Sequence, residues 1–171
     1  MGEALVQPSA RLYQSLYKSA SPEGRLKPVS TPKHSVSVAG AVVDDQGRLL
    51  AIRRRDNGHW EPPGGVLEMD ETIEAGVVRE VLEETGLTVR PERLSGVYKN
   101  MERGIVALVF RCSVVEGAQA ASAEAVEVTW LTPDEVRDRM DEAYAVRLLD
   151  ALDGTRSAVR SHDGVRLSHI P

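Results

Sequence analysis

Three glutamates, Glu80, Glu83 and Glu84, have the spacing that gathers side chains on one side of a helix. At about 100° per residue they fall within an arc of about 100°. Carboxylates three and four residues apart repel by roughly 0.2–0.5 kcal/mol per pair, and these stand near the negative end of the helix dipole, where a cation is favoured. A bare helix gains nothing from them. A hard divalent cation reverses the sign of both effects, and Mg²⁺ takes one or two carboxylates while keeping water and room for substrate phosphates. The competing reading is a solvated acidic face, the common fate of glutamate. Ala75, Val78, Val81 and Leu82 lie broadly opposite and form an apolar back that can pack on a sheet, which predicts core and chemistry on separate faces.

The elements that must position these residues follow from punctuation and periodicity. Asp70 to Thr85 reads as the helix, with Asp70 as its cap and Gly86 as its stop. Glu61-Pro62-Pro63-Gly64-Gly65 just before it breaks any regular element, and its paired glycines suit a loop whose backbone approaches a metal or phosphate closely. Ser35 to Val43 and Leu49 to Arg53 read as two strands joined by a turn at Asp44-Asp45-Gln46-Gly47. Val97 to Val115 resembles further hairpin material, and Glu127 to Leu131 is a short strand. Thr132-Pro133-Asp134-Glu135 is a capping-box start to helical sequence reaching Leu152, and Asp163-Gly164, between Val159 and Val165, signals a hairpin in the tail. Residues 1–33 are rich in Ser, Pro and Lys, with a weak helical patch at Leu12, Tyr13, Leu16 and Tyr17. The class is α/β in the loose, α+β sense with a mixed sheet: an extension at 1–34, one domain at 35–152, and a tail at 153–171.

Composition narrows the function classes. A chain of 171 residues supports one domain of ordinary size with appendages. Apolar residues at 42% and charged residues at 27% favour neither a disordered nor a membrane chain, and 4% aromatics predict a core of Val, Leu, Ile and Ala. A net charge of −5 argues against general affinity for nucleic acid or an anionic membrane, so a bound anion must meet a local cationic site. Cys112, the single cysteine, excludes an internal disulfide and makes a reducing cytoplasm the default compartment. No targeting or anchoring signal is expected: the longest apolar run, Ile105 to Phe110, is too short to cross a bilayer, and Val6 stands where myristoylation wants Ser or Thr.

The spacing around the glutamates is more specific than the helix itself. Gly65, five residues, Glu71, seven residues and Arg79-Glu80-Val81-Leu82-Glu83-Glu84-Thr85-Gly86-Leu87 match the Nudix box, G-x5-E-x7-R-E-U-x-E-E-x-G-U with U aliphatic. A chance match is on the order of one in a million. With Trp60-Glu61-Pro62-Pro63-Gly64-Gly65 before it and a strand plus helix after it, the chain resembles MutT-like members of the Nudix hydrolase superfamily over about 35–152. The resemblance implies a mixed sheet sandwiched between helices and Mg²⁺- or Mn²⁺-dependent hydrolysis of a nucleoside diphosphate linked to a moiety X. It implies Glu80, Glu83 and Glu84 as metal ligands, with a Gly64 or Gly65 carbonyl as a further ligand. Arg79 would orient the carboxylates through Glu71 or Glu80. The general base is a box glutamate or Glu124, and Glu127 ranks below Glu124 and faces nucleotide or solvent. The chemistry agrees, because pyrophosphate hydrolysis needs cations against developing charge and a polarised water.

Other residues complete the expectations. Alternation sends Arg53 and Arg55 to one face, where one of them could clamp phosphate, although a soluble strand edge is the commoner reading. Trp60 reads as packing rather than stacking on a base, Tyr98 and Arg103 as bordering the ligand, and Cys112 as inert core. His34, His162 and His169 lack ligand spacing. The partner expected is a small-molecule nucleotide, with no nucleic acid or membrane and with a homodimer left open. A nucleoside triphosphate, including an oxidised one, is the first choice for substrate and ADP-ribose or another nucleotide sugar the second. No coenzyme A motif precedes the box, and Glu102 and Arg103 stand where many ADP-ribose hydrolases carry proline. A silent nucleotide-sensing module usually loses box glutamates, and an isoprenoid diphosphate isomerase would need a cysteine near the metal, which Cys112 does not supply.

Overall fold

Strand β1 (Ser35–Val42) is apolar along its second half, the pattern of a strand covered on both faces. Val38 and Val42 point into one core with Leu50, Val77, Val81 and Leu87. Ala39, Ala41 and Val43 point into another with Leu49, Tyr98, Val109, Leu131 and Leu148. The period of two thus divides one segment between two layers. The computed structural model describes residues 32–154 and 156–168, so the helical patch expected around Leu12 to Tyr17 lies outside the described residues, as does His169.

After β1 come β2 (Leu49–Arg54), β3 (Trp60–Glu61), β4 (Gly64–Val66), helix α1 (Ile73–Thr85), β5 (Leu87–Asn100), β6 (Ile105–Gly117) and β7 (Ala125–Leu131). Helices α2 (Pro133–Arg139) and α3 (Glu142–Leu149), a 3-10 turn at Asp150–Leu152 and β8 (Ala158–His162) follow. A five-stranded sheet runs β4-β1-β6-β5-β8, with β1 parallel to β6, β8 parallel to β5 and the other pairs antiparallel. Helix α1 covers one face through Val77 and Val81, and α2 and α3 cover the other through Val136 and Leu148. The mixed sheet between helices is the expected one. The second, antiparallel sheet, β3-β2-β7, is an addition: β2 pairs with β7 from Leu49 opposite Leu131 to Arg53 opposite Glu127.

Several expected boundaries move, each for a local reason. Helix α1 is capped by Thr72, not Asp70: the Thr72 hydroxyl accepts from the Ala75 N–H at 3.2 Å, while Glu71 stays outside the helix, bound to Arg79. Its end is as expected, with Gly86 at φ 74° donating its N–H to the Leu82 carbonyl. The packed face is Gly76, Val77, Val81, Glu84 and Thr85, whereas Ala75 and Leu82 of the predicted apolar back are exposed. The Pro-Pro-Gly-Gly stretch is not wholly irregular, because Gly64 and Gly65 pair with Ala39 and Val38 at the sheet edge. Strand β5 begins at Leu87, ten residues before the expected start, and its three register shifts blur the alternation that marks a strand. The C-terminal helix breaks after Arg139, where Met140 turns extended and buries its side chain. In the tail, Asp163-Gly164 closes a single bridge from His162 to Leu167, and the strand before it joins the main sheet beside β5.

Candidate active site

Helix α1 lies with Glu84 turned inward. Its carboxylate is 3% exposed and accepts the Gly64 N–H at 2.7 Å. Burial, followed by repulsion from Glu61, Glu80 and Glu124, outweighs that hydrogen bond and pushes the carboxyl up to about 8. The expected separation of apolar back from acidic face therefore fails at Glu84, which is buried on the packed face. Glu80 stands one turn earlier, partly buried, and burial raises its carboxyl against the pull of Arg79. Glu124 adds its field to both groups from the loop before β7.

Arg79 organises the outer side of this cluster. Its Nε and Nη2 donate to the two oxygens of Glu71 at 2.9 and 2.7 Å, a bidentate pair that holds the Glu71 carboxyl down at about 2. Nη1 reaches Glu80 at 2.8 Å and Glu83 at 3.2 Å, and Nη2 also reaches the Val66 carbonyl. Glu71 and Glu80 are the two partners the resemblance implies for Arg79, and it pairs with both. Glu83, with its side chain 59% exposed, faces Arg79 and solvent, so the three box glutamates share an arc without converging on one point. Among the described residues no group of three or more His, Cys, Asp or Glu stands in a closed metal-holding arrangement.

The donor set nevertheless fits a hard cation. Glu61, Glu80 and Glu124 each repel the buried Glu84 carboxylate, and oxygen donors of this kind are those Mg²⁺ and Mn²⁺ take. Gly65 lets the Glu80 carboxylate lie against the backbone: a Cβ there would sit 2.5 Å from the Glu80 oxygens and displace them. The backbone at Gly64 and Gly65 is thereby brought against the acidic cluster.

The other predicted residues are placed differently. A bulge between Arg53 and Arg54 ends the alternation, so Arg55 lies beyond β2 and does not share a strand face with Arg53. Arg53 and Glu127 pair across β2 and β7 at 4.0 Å, both about half exposed. Arg55 donates to the carbonyls of Ser122 at 3.1 Å and Ala123 at 2.9 Å, and its backbone N–H to that of Glu124. It clasps the loop carrying Glu124. Tyr98 does not border solvent: it is fully buried, and its hydroxyl donates to Asp150 at 2.9 Å. Trp60 packs against the core as expected, with Arg139 over its ring, and Cys112 is buried with its thiol pushed up to about 12.

Sequence reasoning assigns no part to Glu61 or Arg147, yet both line a cleft beside Gly64 and Gly65. Glu61 accepts from Arg54 at 3.2 Å, and burial raises its carboxyl. Glu61 adjoins the glycine loop in sequence and could have been singled out there. Arg147 lies far along the chain on α3, with no motif to mark it.

Known proteins share this architecture. A family model described as NUDIX domain matches residues 33–152. A MutT-like protein of Streptomyces ambofaciens is 66% identical over 138 residues, 81% of this chain and 90% of the relative. An ADP-ribose pyrophosphatase of Methanocaldococcus jannaschii is 34% identical over 101 residues, 55% of this chain and 60% of that protein. Among solved structures, the MutT protein from Methanosarcina mazei Go1 superposes with a TM-score of 0.62 at 28% identity, covering 71% of this chain and 96% of that one. With the complete box running from Gly65 in β4 through α1 to Leu87, and with this domain-long match, the chain belongs to the NUDIX family and is a Nudix hydrolase, acting on nucleoside diphosphate-linked substrates.

Proposed function

We propose that the protein is a Mg²⁺- or Mn²⁺-dependent pyrophosphohydrolase whose substrate is a nucleoside triphosphate, oxidised forms included, yielding a nucleoside monophosphate and pyrophosphate. The observation that carries this reading is Glu84, a buried carboxylate among three others with one backbone N–H as its hydrogen-bond donor. Nudix hydrolases generally need a divalent metal, and Glu80, Glu83, Glu84 and a Gly64 or Gly65 carbonyl would hold it here. Such an ion, when bound, supplies neutralisation of charge on the diphosphate.

The chain's own residues do the rest. Arg79, fixed by Glu71, aims Glu80 and restrains Glu83. Glu124 is our candidate base: it is exposed enough to meet water, and the Arg55 clasp holds its loop against the cluster. Arg53 and Glu127 form the outer rim, where Arg53 can exchange its long contact with Glu127 for a substrate phosphate. The lone, buried Cys112 favours the cytoplasm, and the partner is a small nucleotide. No described helix is long and apolar enough to cross a membrane.

The test is a panel of nucleoside triphosphates, dinucleoside polyphosphates, ADP-ribose and nucleotide sugars, assayed with Mg²⁺ and with Mn²⁺ and read by the phosphorylated products. Fastest release of nucleoside monophosphate from a triphosphate supports the proposal, and no turnover of any member with either metal overturns it. The second reading, ADP-ribose or nucleotide-sugar cleavage, draws on the name of the Methanocaldococcus jannaschii relative. It predicts AMP plus ribose 5-phosphate from ADP-ribose as the fastest reaction.

A further inference from the structure

The cleft beside the glycine loop is a shallow one of about 60 Å³, open to solvent at its mouth, and its walls include Ser37, Ala39, Glu61, Gly65, Tyr144 and Arg147. Whatever fills it adjoins the acidic cluster through Gly65. The Arg147 guanidinium is unusual for so interior a place, because its contacts are rings and an imidazole, while the Glu61 carboxylate acts on it only through its field. It lies 4.8 Å from the centre of the Tyr144 ring and 5.8 Å from that of Tyr98. Its Nη2 donates to His162 Nε2 at 3.2 Å. Arginine has no acceptor, so that nitrogen of His162 is unprotonated and the imidazole proton sits on Nδ1.

His162 is fully buried at the end of β8, beyond the residues the family domain covers. Arg147 Nε and His162 Nδ1 are both buried without a hydrogen-bond partner among the described residues. Burial outweighs the pull of Glu61 and the rings on this guanidinium, so an acceptor on a ligand would relieve it. Two rings and an imidazole fix its direction beforehand, which lowers the cost of ordering it on binding.

We propose that Arg147 reads the ring carbonyl of a keto nucleobase in this cleft, and that His162, from β8, is the positioning residue that aims it. The inference rests on the nucleotide reading above and names the base class. A guanidinium offers only donors, so it selects an acceptor, while Glu61 in the same cleft accepts the neighbouring ring N–H. Guanine, hypoxanthine and uracil present carbonyl and N–H side by side. Adenine and cytosine place an amine where the carbonyl would be, and N–H would face N–H.

The test pairs bases that differ at this group: GTP and ITP against ATP and 2-aminopurine riboside triphosphate, and UTP against CTP. Wild-type kcat/KM should favour the keto member at least about tenfold, with ITP close to GTP. Arg147→Gln should narrow the ratio below about threefold, chiefly through KM. His162→Leu should narrow it too, whereas His162→Gln, whose amide oxygen can accept from Nη2, should keep it. A merely structural His162 would lower the amount of folded protein without moving the ratio. Wild-type ratios near one, or an undiminished ratio in His162→Leu, overturn the inference. If Arg147→Gln does not fold, calorimetric binding of GMP, IMP and AMP to the wild type decides it: GMP and IMP at least tenfold tighter than AMP upholds it, and equal affinity overturns it. Absence of all turnover defeats the hydrolytic reading, while turnover without base preference defeats only this one.

Discussion

Replacing Glu84 by Gln should stabilise the metal-free protein while removing its function. With the folded-state carboxyl at about 8 against 4.5 for the free group, keeping Glu84 in place costs about 3 kcal/mol at pH 7. A glutamine oxygen can still accept the Gly64 N–H, but its amide brings donors of its own at a cost of about 1 kcal/mol. The net gain is then about 1–2 kcal/mol, which for a domain of this size raises the melting temperature by about 3–6 °C. The group's folded pKa is raised, so its stability contribution is complete below 4.5 and is lost as pH rises through about 8. Calorimetric melts in EDTA should therefore fall for the wild type between pH 5 and 8.5, and the Glu84→Gln variant should show a flatter profile. Millimolar Mg²⁺ should restore the wild type more at pH 8 than at pH 5 and leave the variant nearly unchanged. A variant that melts below the wild type at pH 8 in EDTA, or equal rescue of both by Mg²⁺, would refute the claim that Glu84 is a strained anion awaiting a cation.

Three further expectations come from the same geometry. Glu80→Gln should lower turnover by roughly 10²–10⁴-fold on the best substrate while the melting temperature stays level or rises slightly; equal turnover removes Glu80 from the catalytic set. Gly65→Ala drives a methyl onto the Glu80 carboxylate, and steady-state assays should show at least about a tenfold loss of kcat with an unchanged circular dichroism spectrum. Arg55→Met frees the carbonyls of Ser122 and Ala123, so kcat should drop about tenfold with KM little altered; a change in KM alone would assign Arg55 to substrate rather than to the Glu124 loop.

The box was legible because its constraints are local. Helical spacing, a glycine stop and the distance from Gly65 to Glu71 and Arg79 are properties of consecutive residues, and the pairing of Arg79 with Glu71 follows from them. Alternation was equally informative for β1 and β2, which lack bulges along most of their length. Strand β5 was harder to bound because its bulges shift the period, and the break at Met140 lies within sequence that is helical by propensity on both sides.

What the sequence determined alone was the family, the acidic face and the layered class, all encoded in residue type at short separation. Which carboxylates share a cluster was decided by tertiary structure, since Glu61, Glu84 and Glu124 come from a strand end, a helix and a distant loop. The same holds for Arg55, whose clasp reaches across to the Ser122 loop. It holds above all for Arg147 and His162, which meet only because β8 pairs with β5 and brings an imidazole against α3. A field or a hydrogen bond depends on distance in space, and chain order sets that distance only within an element.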